Sequence, residues 1–229
     1  MSLIEPLGQP PQPLVFLIGL GAAGAFIAAG VLYDRIVDRR RTREYAQFCL
    51  ERGFRFEHDR PGEAERHVAT CPLFGEGHGR SWGHTISGTR GGLPFTAFEY
   101  RWTTGHGRGA RRHVIGALHW TLERSLPQFV LTPEGFRDKV AALFGGQDID
   151  FADSADFSRA YRLRGGDEAA VRSLFTPALR HRLVAEPDQH AAGGGRELLW
   201  WRPGRLPPPD GLDQLFMKGD RARQLFAGD

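Results

Sequence analysis

The sequence predicts an α+β fold: one N-terminal transmembrane helix, then a soluble domain with an antiparallel sheet and C-terminal helices. Three observations predict it. A run of twenty residues near the N-terminus carries no charge, alternating apolar runs flank a Gly-Gly pair, and capped helical segments follow them. With 41% hydrophobic and 25% charged residues, the 229-residue chain is excluded from the disordered and collagen-like classes. A net charge of +3 is too mild to argue for a nucleic-acid partner. Of the 30 basic residues only Lys139 and Lys218 are Lys, a bias that suggests a GC-rich genome more than an arginine-based function. Two cysteines, Cys49 and Cys71, cannot build a disulfide scaffold.

The uncharged run spans residues 14–33, LVFLIGLGAAGAFIAAGVLY. At about 1.5 Å per residue it covers roughly 30 Å, the hydrocarbon thickness of a bilayer. No Lys or Arg precedes it, whereas Arg35, Arg39, Arg40, Arg41 and Arg43 follow it. Basic flanks resist translocation, so the predicted span at 14–34 leaves residues 1–13 outside as a short extracytoplasmic tail. A cleaved signal peptide would place its positive charge before the apolar run. Within the run, Gly19, Gly21 and Gly24 also fit G-x-G-x-x-G, with LVFLI as the preceding strand and Asp38 near the expected acidic position. Against that fingerprint, only Ile36 and Val37 are available for a second buried strand, and no repeating βαβ pattern follows. In a membrane helix the small residues Gly21, Ala25 and Ala29 form a face that another helix can approach, which leaves a homodimer through the span open.

Residues 35–53 read as a juxtamembrane basic helix that stops at Gly53, with Tyr45, Phe48, Cys49 and Arg52 at helical spacing. From 54 to 229 the sequence predicts a cytoplasmic α+β domain, sheet-rich over 54–131 and helix-richer over 132–229. FRFEH alternates as a strand. HTISGTR, Gly91-Gly92 and LPFTAFEYRW form a hairpin signal. Phe98, Tyr100 and Trp102 share one face with period two, which reads as a core face rather than a stacking platform. HVIGALHWTL points Val114, Leu118, Trp120 and Leu122 one way and His119 the other; QFVLTP adds a short strand. Thr132-Pro133-Glu134 begins a helix running to Phe144. Asp167 caps EAAVRSLF, Thr176-Pro177 restarts a helix, and YRLRG and RELLWWRPG read as strands. Asp210 caps a last amphipathic helix with Leu212, Leu215 and Phe216 on one side.

FRFEHDRP, the Gly-rich FGEGHGR, FTAFEYRW, and DIDFADSADFSRAYRLRG followed by a helix broken at LFTP resemble an uncharacterised family of bacterial, actinobacterial-type, single-pass membrane-anchored proteins. The resemblance spans residues 40–200. It implies a short anchor before an α+β domain of unknown function and supplies no catalytic residues. Phe157-Ser158-Arg159 stands where the family tends to show Phe-Asn-Arg, and Tyr161 replaces a common Phe. Physically, Phe157 and Tyr161 pin the turn to the sheet.

The chemistry-bearing motifs are weak. Gly75-Glu76-Gly77-His78-Gly79-Arg80 lacks the phosphate-loop pattern and reads as a flexible connection. Cys71, His78 and His84 lack zinc-ligand spacing. Asp148, Asp150, Asp153 and Asp156 lack the glycine of a calcium loop and carry Arg159 where its glutamate belongs. The loop Gly105–Arg112 is basic and glycine-rich. Its bland reading is a solvated hairpin tip; its functional reading is contact with anionic lipid, RNA or a phosphorylated partner. The sequence therefore predicts a membrane-tethered, non-catalytic module at the bacterial plasma membrane, binding a protein partner or an anionic lipid surface. It calls for no cofactor and no metal. The candidate contact residues are Arg39, Arg40, Arg41, Arg43, Arg108, Arg111 and Arg112. Two alternatives compete: a nucleotide-dependent enzyme using Gly19, Gly21 and Gly24, and a membrane-anchored hydrolase using His78, His84 or His106.

Overall fold

The computed structural model describes residues 12–59, 71–75, 77–134 and 148–227; along the first helix, side chains are described from residue 28, Val31 and Asp34 excepted. The chain divides into two compact units, Met1–Arg43 and Glu44–Asp229. Helix α1 runs from Gln12 to Arg52. LVFLI is therefore helical, and the glycines at 19, 21 and 24 lie inside a helix. A dinucleotide fingerprint needs a strand running into a glycine turn, and this segment does not supply it. Among the described residues, no helix is long and apolar enough to cross a membrane; the side chains of residues 14–27, most of the expected span, lie outside them. Further along, Leu32, Tyr33 and Ile36 are exposed, Tyr33 to 68%.

The second unit begins inside α1, whose last turns belong to its core: Tyr45, Phe48 and Cys49 are buried. Gly53 ends the helix at φ +69°, where a glycine carries no steric penalty. Its amide donates to the Leu50 carbonyl (3.4 Å) and that of Phe54 to Cys49 (2.8 Å), the two bonds of a Schellman cap.

Among the described residues six antiparallel strands follow: β1 (Arg55–His58), β2 (His78–Arg90), β3 (Leu93–Thr104), β4 (Arg111–Pro133), β5 (Tyr161–Gly165) and β6 (His190–Pro203). Gly91 and Gly92, both at positive φ, close the β2–β3 hairpin. β4 is the spine of the sheet. HVIGALHWTL and QFVLTP, expected as two strands, are one strand of 23 residues. One edge pairs with β3 over its first half and with β5 over Phe129–Pro133; the other edge pairs with β6. The spine is not straight. Pro127 has no amide to give the ladder, and β4–β6 pairing loses register between Thr121 and Phe129, opposite Gly193–Gly195. At Gly193 a Cβ would lie 2.5 Å from Phe129 Cε1, so only glycine lets the strands cross here without displacing that ring.

This break folds the sheet back on itself. Eleven residues of straight strand would separate His190 from Trp201 by roughly 36 Å, yet their rings lie 5.5 Å apart. One face of the sheet is consequently enclosed: Phe98, Tyr100, Trp102, Ile115, Val130 and Trp201 share a buried cluster with Leu73 from a single 3₁₀ turn, Pro72–Gly75. The aromatic stripe is core, as its period implied. His119, on the face opposite Leu118 and Trp120 as its alternation implied, is buried for the same reason.

Helices cover the other face: the end of α1, α2 (Ala155–Ala160), α3 (Glu168–Leu174), α4 (Pro177–Ala185) and α5 (Pro209–Ala227). Asp167 accepts from the Ala170 amide (3.1 Å) and Thr176 from that of Leu179 (3.3 Å), so both expected caps form. Asp210 lies within the first turn of α5, which begins at Pro209, rather than at its cap. Thr132 and Pro133 close β4 instead of opening a helix; the helix expected up to Phe144 falls on residues 135–147, outside the described ones. Phe157 is fully buried, and the Tyr161 hydroxyl donates to the carbonyls of Leu183 (3.1 Å) and Glu186 (3.0 Å). The fold is thus α+β, with an antiparallel sheet and C-terminal helices.

Candidate functional site

The β3–β4 tip is a built loop. Gly107–Gly109 forms one 3₁₀ turn, closed by the Gly109 amide on His106 O (3.2 Å) and the Ala110 amide on Gly107 O (3.1 Å). Gly105 sits at φ +73°, where a Cβ would come within 2.7 Å of Gly109 O. His78, the first residue of β2, places Nε2 2.9 Å from Gly105 O and stacks its ring on His106 at 4.9 Å. On the β4 side, His113 stacks on Trp102 at 4.9 Å and shares a 2.8 Å hydrogen bond with Thr104. Rings and glycines fix the base of the loop, and its arginines face outward.

Arg108, Arg111 and Arg112 are exposed, and none has an ion pair among the described residues. Arg80, on β2 near the same end of the sheet, is also exposed, its Nη1 donating to Phe74 O (3.1 Å). The Gly-rich segment before it is not simply a flexible connection. His78, Gly79 and Arg80 are strand residues, and at Gly77 a Cβ would lie 2.2 Å from Thr103 O. Arg80 escaped sequence reasoning because its place depends on the β2–β3 register, His78 opposite Thr103, which continues past an irregularity in β2. Arg39, Arg40, Arg41 and Arg43 belong to the first unit; there Arg39, Arg40 and Arg43 are exposed and Arg41 is half-buried.

The other candidate sites resolve into structural roles. His78 and His106 meet at the tip, but His84 is fully buried six residues along β2, about 20 Å of extended chain away. There it stacks on His58 (4.8 Å) and packs on Tyr45 (4.9 Å), so the three histidines do not share one site. Burial pushes the Cys71 thiol up to about 12 and the Cys49 thiol up to about 11, which keeps both protonated near neutrality. The acidic stretch is tied down by arginines. Asp148 meets Arg164 (2.6 Å) and Arg162 (3.3 Å), Asp156 meets Arg159, and Asp153 receives both Nη atoms of buried Arg180 at 2.9 and 2.7 Å. Hydrogen bonding from Arg180 holds the Asp153 carboxyl below its usual range.

Two polar clusters around the buried Glu99 and His119 gave no signal in the sequence because the Leu206 and Glu197 that complete them lie far along the chain. Glu99 is fully buried and accepts from Arg101 Nη2 (2.8 Å) and the Leu206 amide (3.2 Å). His119 Nε2 lies 2.5 Å from Glu197, which also accepts from Thr121 (3.3 Å). Both clusters tie neighbouring strands or the β6–α5 connection to the sheet. The tip presents the exposed guanidinium groups of Arg108, Arg111 and Arg112, a donor set suited to anionic oxygens.

No protein-family model matches the chain, and no curated protein matches it. In fold it is similar to the crystal structure of the mycobacterial trehalose monomycolate transport factor A, TtfA, with a TM-score of 0.52 at 12% identity. The likeness covers 83% of this chain and 94% of that one. At this identity it shows the fold alone.

Proposed function

We propose that this chain is a membrane-tethered, non-catalytic module whose α+β unit rests its β3–β4 tip on an anionic lipid surface. In this reading the span at 14–34 crosses the plasma membrane once, with the N-terminus outside and the unit Glu44–Asp229 cytoplasmic. The observation that carries it is the set of exposed guanidinium groups at Arg108, Arg111 and Arg112, without ion pairs among the described residues. Each arginine near an anionic leaflet contributes about 1 kcal/mol, so three of them add about 3 kcal/mol, roughly a hundredfold in affinity before salt screening. The arginines at 39, 40, 41 and 43 follow the apolar run and set its orientation. The mycobacterial source of the structural neighbour accords with an actinobacterial-type protein.

Two measurements test the reading. Full-length protein should stay in the membrane pellet after alkaline carbonate extraction; release without detergent would defeat the tether. A chain beginning at residue 35 should float with vesicles containing phosphatidylglycerol, and replacing Arg108, Arg111 and Arg112 with Glu should weaken that binding at least tenfold. Equal flotation of both would remove the lipid contact, and retention only by a protein from native membranes would replace it with a protein partner.

A further inference from the structure

A cleft of about 330 Å³ lies on the second unit, where the Gly91–Gly92 turn, β4 and the end of α5 meet. Its walls carry Leu122, Glu123, Arg124 and Arg223. Arg223 is the unusual member. It is only 9% exposed, yet no ion pair or hydrogen bond engages it among the described residues, and its Nε is buried without a partner. Withdrawing a guanidinium from water is costly unless an anion or several acceptors replace the lost hydration. The neighbouring groups do not supply that replacement. Asp220, one turn earlier on α5, is committed to Arg90 at 3.1 Å. Glu123 lines the cleft as an exposed carboxylate without an ion pair to Arg223. Arg124 donates to the Phe226 carbonyl and adds a second cation to the same walls.

The Arg223 guanidinium faces the hairpin turn: a Cβ built on Gly91 would lie 3.9 Å from its Nη2. Two glycines there leave the space in front of it open. From this geometry we propose that the cleft is an oxyanion-binding site of the phosphate class, with Arg223 as the bidentate ligand and Arg124 as the second charge. The two guanidinium groups outweigh the single Glu123 carboxylate in the same walls, and guanidinium geometry suits phosphate oxygens. Leu122 supplies an apolar wall for whatever carries the phosphate, which is either a small phosphorylated solute or the headgroup of a phospholipid. The site is independent of the membrane reading above, since all its residues lie within Glu44–Asp229.

The test uses the full chain. In sodium phosphate its Tm should rise by about 2 °C or more over sodium chloride of equal ionic strength. The Arg223→Met variant, which keeps the stem but removes the buried charge, should melt in chloride at the same temperature or higher and show no phosphate-specific rise. A phosphate response that survives in Arg223→Met, or no response in the wild type, overturns the proposal. Glu123→Gln keeps the proposal testable even if Arg223→Met does not fold. Removing the competing carboxylate should lower the phosphate midpoint roughly threefold, and an unchanged midpoint counts against the site. Dihexanoyl phosphatidic acid below its micellar concentration separates the two sources. A midpoint well below that of inorganic phosphate identifies a lipid headgroup, and an equal or higher one a free phosphorylated solute.

Discussion

His190 sits where the sheet closes on Trp201, and its burial pushes its pKa down to about 4 from the ordinary 6.5, with Arg202 adding a smaller repulsion. In the unfolded chain the imidazole takes up a proton near pH 6.5, whereas in the folded chain it does so only near pH 4. The unfolded state therefore binds more protons between those values, and stability falls as pH drops through that window. By pH 5 the loss amounts to about 2 kcal/mol. Urea unfolding at pH 7 and pH 5 should show that difference in the wild type and a smaller one in His190→Gln. Equal pH sensitivity of the two would place the cause elsewhere. Trp102 is 2% exposed in the same enclosed core, and its indole N–H has no hydrogen-bond partner among the described residues. Trp102→Ala should cost about 3–5 kcal/mol, while Trp102→Phe, which removes the orphaned donor and keeps a ring, should cost under about 1.5 kcal/mol. Parallel urea curves on the full chain check both. A fragment starting at Gly53 would confuse the result, because Tyr45, Phe48 and Cys49 belong to the core.

Among the elements, α5 shows how closely helix and sheet approach. Gly219 faces the sheet, and a Cβ there would meet Leu118 Cδ1 at 2.1 Å and the Trp120 ring at 3.0 Å. Alanine is about 1 kcal/mol better than glycine in a helix interior, but overpacking a filled core costs about 1–3 kcal/mol. Leu118 and Trp120 are both buried and hemmed in, so overpacking wins. Gly219→Ala should lower stability by about 1 kcal/mol, and a thermal melt showing stabilisation would mean Leu118 has room to move. Local chemistry made many elements legible beforehand. Gly91-Gly92, Asp167, Thr176-Pro177 and Gly53 each carry a backbone preference that acts within a few residues. The continuity of β4 was not legible, because Pro127 reads as a strand breaker. A proline is accommodated only where a partner also yields, and that partner, Gly193–Gly195, lies over sixty residues away.

At the scale of the whole molecule, the same distinction separates what could be foreseen about the candidate sites. Arg108, Arg111 and Arg112 were visible as a basic loop because exposure follows from glycine-rich composition. Arg80 and Arg223 were not, since one depends on a strand register and the other on where a C-terminal helix meets a hairpin turn. The enclosure of the sheet's second face was hidden for a related reason. Alternation along a strand records which residues share a face, but not that the sheet later bends over that face. β4 carries a further consequence, since one whole edge of it is completed only by β6, at His190–Pro203. During synthesis that edge emerges from the ribosome tens of residues before its cover. Nascent chains of this protein therefore pass through an interval with a long, unsatisfied template for intermolecular strand addition, and their survival depends on translation outrunning encounter.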